Sequence, residues 1–311
     1  MRQFLFPFAL AAVASCAGAA HAQTNLHSWV SSNATSSACT RSAPCGSFAL
    51  AHDATFAGGV ISILDPASTM SAINITKALT VRAVGVDGGP DTFPGGTFVT
   101  VAAGPDDVVT LEGLHWVGAG IVFNSGKHLH VVNCTIAENH TAGGAGIKFQ
   151  PIGASKLSIT DSVITNNGSG TGGGIVIKPA SGGTAQVNLK RVTVNGNAFG
   201  IAADGTGSSG GINMTIADSM VGGNGNDGII GVTPGGGAPI GVYVKNTQAV
   251  NNSIGIRSIG PNVTVRVDGS SVIGNGTGLS FSGGGALLTA GNNMVRANGS
   301  DGAFSGSVGL Q

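Results

Sequence analysis

The sequence predicts an all-β solenoid, a parallel β-helix of about ten stacked coils entered through a short capping helix. The first observation behind this is a repeat. Asn139, Asn167, Asn197, Asn224, Asn252, Asn275 and Asn298 follow one another at steps of 28, 30, 27, 28, 23 and 23 residues. Three residues before each stands an apolar residue, as in Ile136, Ile164 and Val194, and shortly after each comes a glycine followed by an apolar residue, as in Gly174-Ile175 and Gly200-Ile201. The second observation is a period of two. Leu129 and Val131, Leu157 and Ile159, Val187 and Leu189, and so on to Leu288 and Ala290, lie ten and eight residues before each asparagine, between mostly polar neighbours. Alternation of this kind marks a half-buried strand. The third is composition: 54 glycines in 311 residues and only 9% charged residues, yet 41% hydrophobic ones. That is enough apolar surface to offset chain entropy, so disorder is excluded.

Three strands per repeat give a triangular coil whose strands pair with their equivalents one coil away. The ladder asparagines suit the corner between two sheets, where Asn tolerates a left-handed backbone and its amide bonds to the asparagine stacked on it. Their role is read as structural, since an amide has no acid–base capacity near neutral pH. Upstream, Ile61–Leu64, Ile73–Ile75, Leu79–Val81, Val99–Val101 and Val108–Leu111 read as strands of less regular coils. Ser47 caps a helix running from Phe48 to about Phe56, which Gly58-Gly59 ends and which plugs the open core. The division expected is a signal peptide over 1–22, a cap segment with its helix over 23–60, the β-helix over 61–304 and a polar tail over 305–311 with no capping element. A bare parallel end must be covered by that tail or by another chain, which makes end-to-end self-association a candidate.

The amino terminus has the form of an export signal: Arg2, an apolar run from Phe4 to Ala14, and the small-residue site Ala20-His21-Ala22, which leaves Gln23 first. A lipoprotein signal ending at Cys16 is the minority alternative. A secreted, periplasmic or cell-surface location follows, and in such an oxidising compartment Cys39 and Cys45 are disulfide partners. Cys134 occupies a repeat position otherwise filled by Ser162, Val192, Ser219, Thr247, Ser270 and Asn293, and reads as a small buried side chain. Lys plus Arg and Asp plus Glu are 14 each, so no net field draws nucleic acid or an anionic membrane. No later stretch has the length of a transmembrane helix, and no Cys or His pair has zinc-finger spacing.

Trp29-Val-Ser31, Cys39 with Ala43-Pro-Cys45, Ser47-Phe48-Ala49, Ile63-Leu-Asp-Pro66, Ala102–Val108 and Ile121–Gly126 carry a resemblance. With the Asn and Gly columns they extend it across nearly all of the mature chain. The sequence resembles secreted bacterial right-handed parallel β-helix repeat proteins of the pectate-lyase-like superfamily, within an uncharacterised group. The resemblance implies the fold but not the activity, because that scaffold carries lyases, hydrolases, epimerases, adhesins and non-catalytic surface proteins. A lyase would need carboxylates holding Ca²⁺ beside an Arg or Lys. A hydrolase would need two or three Asp on adjacent coils.

Neither cluster shows in the sequence. Asp161, Arg191 and Asp218 recur six residues before successive ladder asparagines and read as a charge ladder. His128 and His130 face one way with Lys156 beside them, without a third metal ligand. Glu138 and His140 begin a solvated loop, and Gly222–Asp227 matches one copy of a calcium nonapeptide that needs tandem copies to work. The least bland surface combines Tyr243 and Lys245 on one coil with Arg266 and Asp268 on the next. A ring flanked by cations and an acceptor suits an acidic sugar, and plain packing of Lys245 on Asp268 and Tyr243 on Arg266 is the simpler account. Three functions remain open. The first is a surface or secreted protein that binds or presents to extracellular polysaccharide without catalysis. The second is a polysaccharide lyase or glycoside hydrolase, with Ca²⁺ a cofactor only under the lyase reading. The third is a structural envelope or adhesin module.

Overall fold

Strict alternation lays down the strands. In Ala154–Thr160, Leu157 and Ile159 are buried while Lys156, Ser158 and Thr160 face out, and the pattern recurs coil after coil. The computed structural model describes residues 23–65, 71–83, 85–86, 96–235 and 237–309. The expected signal segment with Cys16, and Pro66, lie outside the described residues.

Each regular coil crosses three parallel sheets in turn, for example through Ala154–Thr160, Val163–Thr165 and Gly173–Ile177. Among the described residues the large sheet has 12 strands, the sheet of three-residue strands 8 and the third 9, which makes about nine turns. Equivalent residues stack in register: Leu157 lies between Leu129 and Val187, and Ile164 between Ile136 and Val194. The interior so formed is aliphatic in the later coils and aromatic nearer the amino end, where Phe123 stacks on Phe149 at 4.5 Å.

Two hydrogen-bonded columns close the corners. Oδ1 of Asn197 accepts from the backbone N–H of Asn167 at 2.8 Å and from its Nδ2 at 3.1 Å, while its own Nδ2 donates to the Ile164 carbonyl and to Asn224 Oδ1. The backbone N–H to Oδ1 bond recurs from Asn139 to Asn298, while Nδ2 of Asn139 donates to the Gly96 and Ala145 carbonyls. One expectation about this corner is corrected. The left-handed residue is not the ladder asparagine but the one before it, as in Glu138, Asn166 and Asn251 with φ of 59°, 54° and 56°. The ladder side chain can turn inward to its neighbours because its predecessor makes the bend. The second column is the position of Cys134: Cys134 N–H donates to Ser162 Oγ, Val192 to Ser219 and Thr247 to Ser270.

The helix Phe48–Ala54 forms where expected, with Ser47 Oγ accepting from the Leu50 N–H at 3.3 Å. It stops before Phe56, because Thr55 is already extended and opens the strand Thr55–Ile63. Phe48 meets Phe98 edge-on at 5.8 Å, and Phe98 lies 5.6 Å from Trp116, so the helix seals the interior with aromatic rings. At the other end the register of the last coil differs from expectation by one residue. Leu287, not Leu288, stacks on Val265 and is fully buried, and Thr289, not Ala290, stacks on Val267. The turn Ala290–Asn293 holds one residue more than its equivalent, Asp268–Ser270, and slides the strand back. The tail is not bare, since Gly306–Ser307 adds a parallel strand beyond Ala286–Thr289. Asp301 Oδ1 accepts from both N–H donors of Asn298 and so terminates the ladder.

Candidate functional site

The outward positions of the large sheet form columns parallel to the solenoid axis. One runs through His130, Ser158, Asn188, Thr215, Tyr243 and Arg266, and the next through His128, Lys156, Gln186, Asn213 and Gly241. Between them lies a groove of about 550 Å³ that Lys156, Gln186, Asn188, Asn213, Tyr243 and Arg266 help to line. Amides and hydroxyls of Ser158, Gln186, Asn188, Asn213 and Thr215 contribute to its lining, which contains no carboxylate. From the Lys156 strand to the Arg266 strand there are four strand spacings, a run of about 19 Å at about 4.8 Å each.

Of the four residues singled out in the sequence, Tyr243 and Arg266 line this groove. The pairs that simple packing would join, Tyr243 with Arg266 and Lys245 with Asp268, lie side by side in register. Tyr243 and Arg266 are register neighbours, but the phenol donates diagonally to Asp268 Oδ2 at 2.6 Å, and Asn292 Nδ2 donates to Oδ1 at 2.8 Å. Those two donors hold the Asp268 carboxyl below the ordinary carboxylate range, and the same bond raises the Tyr243 phenol. Asp268 is thereby committed to orienting the ring. Lys245, in register with Asp268, forms no ion pair within 4 Å among the described residues.

Sequence reasoning missed the middle of the groove. Gln186, Asn188, Asn213 and Thr215 looked like ordinary outward polar residues, and only the stacking of two coils makes them one surface. His128 and His130 lie ring to ring at 3.7 Å at its amino-terminal end, with His128 Nε2 2.9 Å from Ser158 Oγ. Burial, then the charges of His130 and Lys156, lower His128 to about 4, so it is neutral at physiological pH. Asp161 and Arg191 form a bidentate pair at 2.6 and 2.8 Å in the turns beside the large sheet, and Asp218 accepts from Asn246. All three have positive φ, so turn geometry places them there. Among the described residues no three His, Cys, Asp or Glu side chains converge on a metal site.

The calcium-like segment also resolves into structure. Asn224 is a ladder member, and Asp227 is 3% exposed with Arg257 Nη1 3.6 Å from its Oδ1. That distance is an ion pair and not a hydrogen bond. Burial raises the Asp227 carboxyl, and Arg257 only partly opposes it. A raised folded value means that the native state holds the proton more tightly than the unfolded chain, so stability falls as pH rises from about 4 through that raised value. Asp227→Asn should therefore become more stable relative to the parent as pH rises from 4 to 7. Urea midpoints across that range give the comparison, and a constant difference would contradict it.

The disulfide Cys39–Cys45 is present, and Cys134 is buried, its thiol pushed up to about 11 by desolvation. Among the described residues no helix is long and apolar enough to cross a membrane. The profile of the right-handed beta helix region matches residues 106–218. The crystal structure of pectate lyase Pel9A is similar in fold, with a TM-score of 0.62 and 16% identity over 92% of this chain and 79% of that one. No curated protein matches. By fold, the chain is a right-handed parallel β-helix.

Proposed function

We propose that the protein acts outside the cytoplasm, where its large sheet binds an acidic polysaccharide along the solenoid axis without cleaving it. The groove carries this reading: a lining that includes Gln186, Asn188, Asn213 and Thr215, with Lys156 toward one end and Arg266 toward the other. Amides and hydroxyls match sugar hydroxyls, cations match uronate carboxylates, and the Tyr243 ring offers an apolar face. The strand spacing of about 4.8 Å lets successive coils meet successive sugars of an extended chain. Chemistry that uses a carboxylate pair or a carboxylate-held metal has no provider in the lining. The disulfide supports an oxidising location.

The test is titration with uronic-acid and neutral polysaccharides, with and without Ca²⁺, following binding, unsaturated products and new reducing ends. Uronic-acid polymers should bind and stay intact. Arg266→Ala and Lys156→Ala should each weaken binding about ten-fold, the loss of one charge-assisted hydrogen bond. Unchanged affinity in both variants, or in Tyr243→Ala, would remove the groove from the account, and product release would replace binding by catalysis.

A further inference from the structure

The first strand of the large sheet carries a feature that the groove does not use. Asn25–Val30 turns Ser28 and Val30 inward and presents His27 and Trp29 on the outward face. The two rings stack at 3.8 Å with 21° between their planes, and Trp29 remains only partly buried. Its backbone is clamped on both sides. It pairs with Ser62 in the next strand, and on the free edge its N–H donates to the Cys39 carbonyl at 2.9 Å while its carbonyl accepts from Cys45 N–H at 2.8 Å. The disulfide loop that clamps this backbone also carries Arg41.

Arg82 reaches the cluster from the third strand, its Nε donating to Ser62 Oγ at 3.2 Å, and Ser62 Oγ also bonds His27 Nε2 at 2.8 Å. Arg41 and Arg82 lie near enough to His27 that their charges, after burial, lower it. Among the described residues neither arginine has an ion-pair partner within 4 Å; Glu112, opposite Arg82 in register, does not close on it. An aromatic face is thus held on rigid elements at the amino-terminal end of the sheet, beside two guanidinium groups without an ion-pair partner among the described residues. It lies four strand spacings, about 19 Å, from the first strand of the groove, on the same outward face.

We infer that Trp29, Arg41 and Arg82 form a second saccharide site, which stacks one sugar ring on the indole and pairs a uronate carboxylate with the arginines. Its ligand class rests on the reading of the groove; its geometry does not. A long acidic chain laid along the face reaches both sites, so the second contact is made at high effective concentration and polymer length adds avidity. Two arginines without a wider basic field suit a single carboxylated sugar better than a polyphosphate backbone, which needs many cations.

The chain has two tryptophans, and Trp116 is fully buried, so tryptophan emission reports on Trp29. Titration with a short uronic-acid oligosaccharide should change that emission saturably, and a neutral oligosaccharide of the same length should not. The change should vanish in Trp29→Phe and require about ten-fold more ligand in Arg41→Ala or Arg82→Ala. It should persist in Arg266→Ala, which separates this site from the groove. In Trp29→Phe, long uronic-acid polymers should bind more weakly than to the parent while groove binding of short ones is kept. No saturable change in the parent, a change that survives in Trp29→Phe, or an equal response to the neutral sugar or to single-stranded DNA would overturn the assignment.

Discussion

Asn197→Ala should lower the stability of the protein by roughly 3 to 5 kcal/mol, a large fraction of what a single domain possesses. The side chain is 2% exposed and lies in the middle of the ladder. Its removal takes away the acceptor of the Asn167 N–H, which the Asn167 amide shares. The Ile164 and Asn195 carbonyls lose a donor as well. A buried orphan N–H costs about 1 to 3 kcal/mol, and the lost bonds add to it. Asn197→Asp should be no milder, since a carboxylate keeps the acceptor but turns an oxygen toward those two carbonyls. Asp301 does that work at the end of the ladder because its site is exposed and no further coil needs a donor from it. Urea unfolding followed by circular dichroism measures the loss. Because neighbouring coils are coupled in series, a broadened transition is expected with it. A change below about 1 kcal/mol would mean that water replaces the amide.

The ladder was the most legible feature of the sequence because three constraints coincide on it. The Asn needs its amide, its left-handed predecessor favours Asn or Gly, and the apolar residue three before it must fill the core. The register it sets holds through Asn275 and fails by one residue in the last coil, where Gly291 and Asn292 sit in a turn with an extra residue. Counting back from an asparagine assumes a constant turn length, and a turn of small polar residues gives no sign of an insertion. The site was less legible for a related reason. Tyr243 and Arg266 stood out as unusual residue types, but Gln186, Asn188, Asn213 and Thr215 matter only as a surface assembled across coils. Trp29 was visible as a letter, yet its outward aim depends on the pairing of Asn25–Val30 with Thr55–Ile63. That pairing has a register shift near Asn25 that no local pattern announces.

Gly200→Ala should be the second most damaging change, with an expected loss of at least about 3 kcal/mol, at the upper end for overpacking. The glycine column is a consequence of the ladder. A Cβ on Gly200 would stand 2.3 Å from the Gly228 carbonyl oxygen, 2.8 Å from Val221 Cγ1 and 2.9 Å from Asn224 Nδ2. The first of these is backbone of the next coil and the last is the ladder amide, so neither gives way as the end of a flexible side chain would. The coils must separate or the amide must leave its partners, and both outcomes break bonds that Asn197 and Asn224 exchange. The same approach recurs at Gly174 and Gly255, where a Cβ would meet Asn197 Nδ2 and Asn275 Nδ2 at 2.9 Å. This recurrence explains why a glycine follows each asparagine from Asn139 to Asn275 without appeal to unusual backbone angles, whereas Gly302 after Asn298 has a φ of 70°. Gly153→Ala is the matched control, because nothing lies within 4 Å of its Cβ and its φ is ordinary. Its stability should stay within about 0.5 kcal/mol of the parent. Thermal and urea unfolding of the two variants decide the matter: equal, small losses would show that the coils yield easily, and the ladder would then be a looser seam than its hydrogen bonds imply.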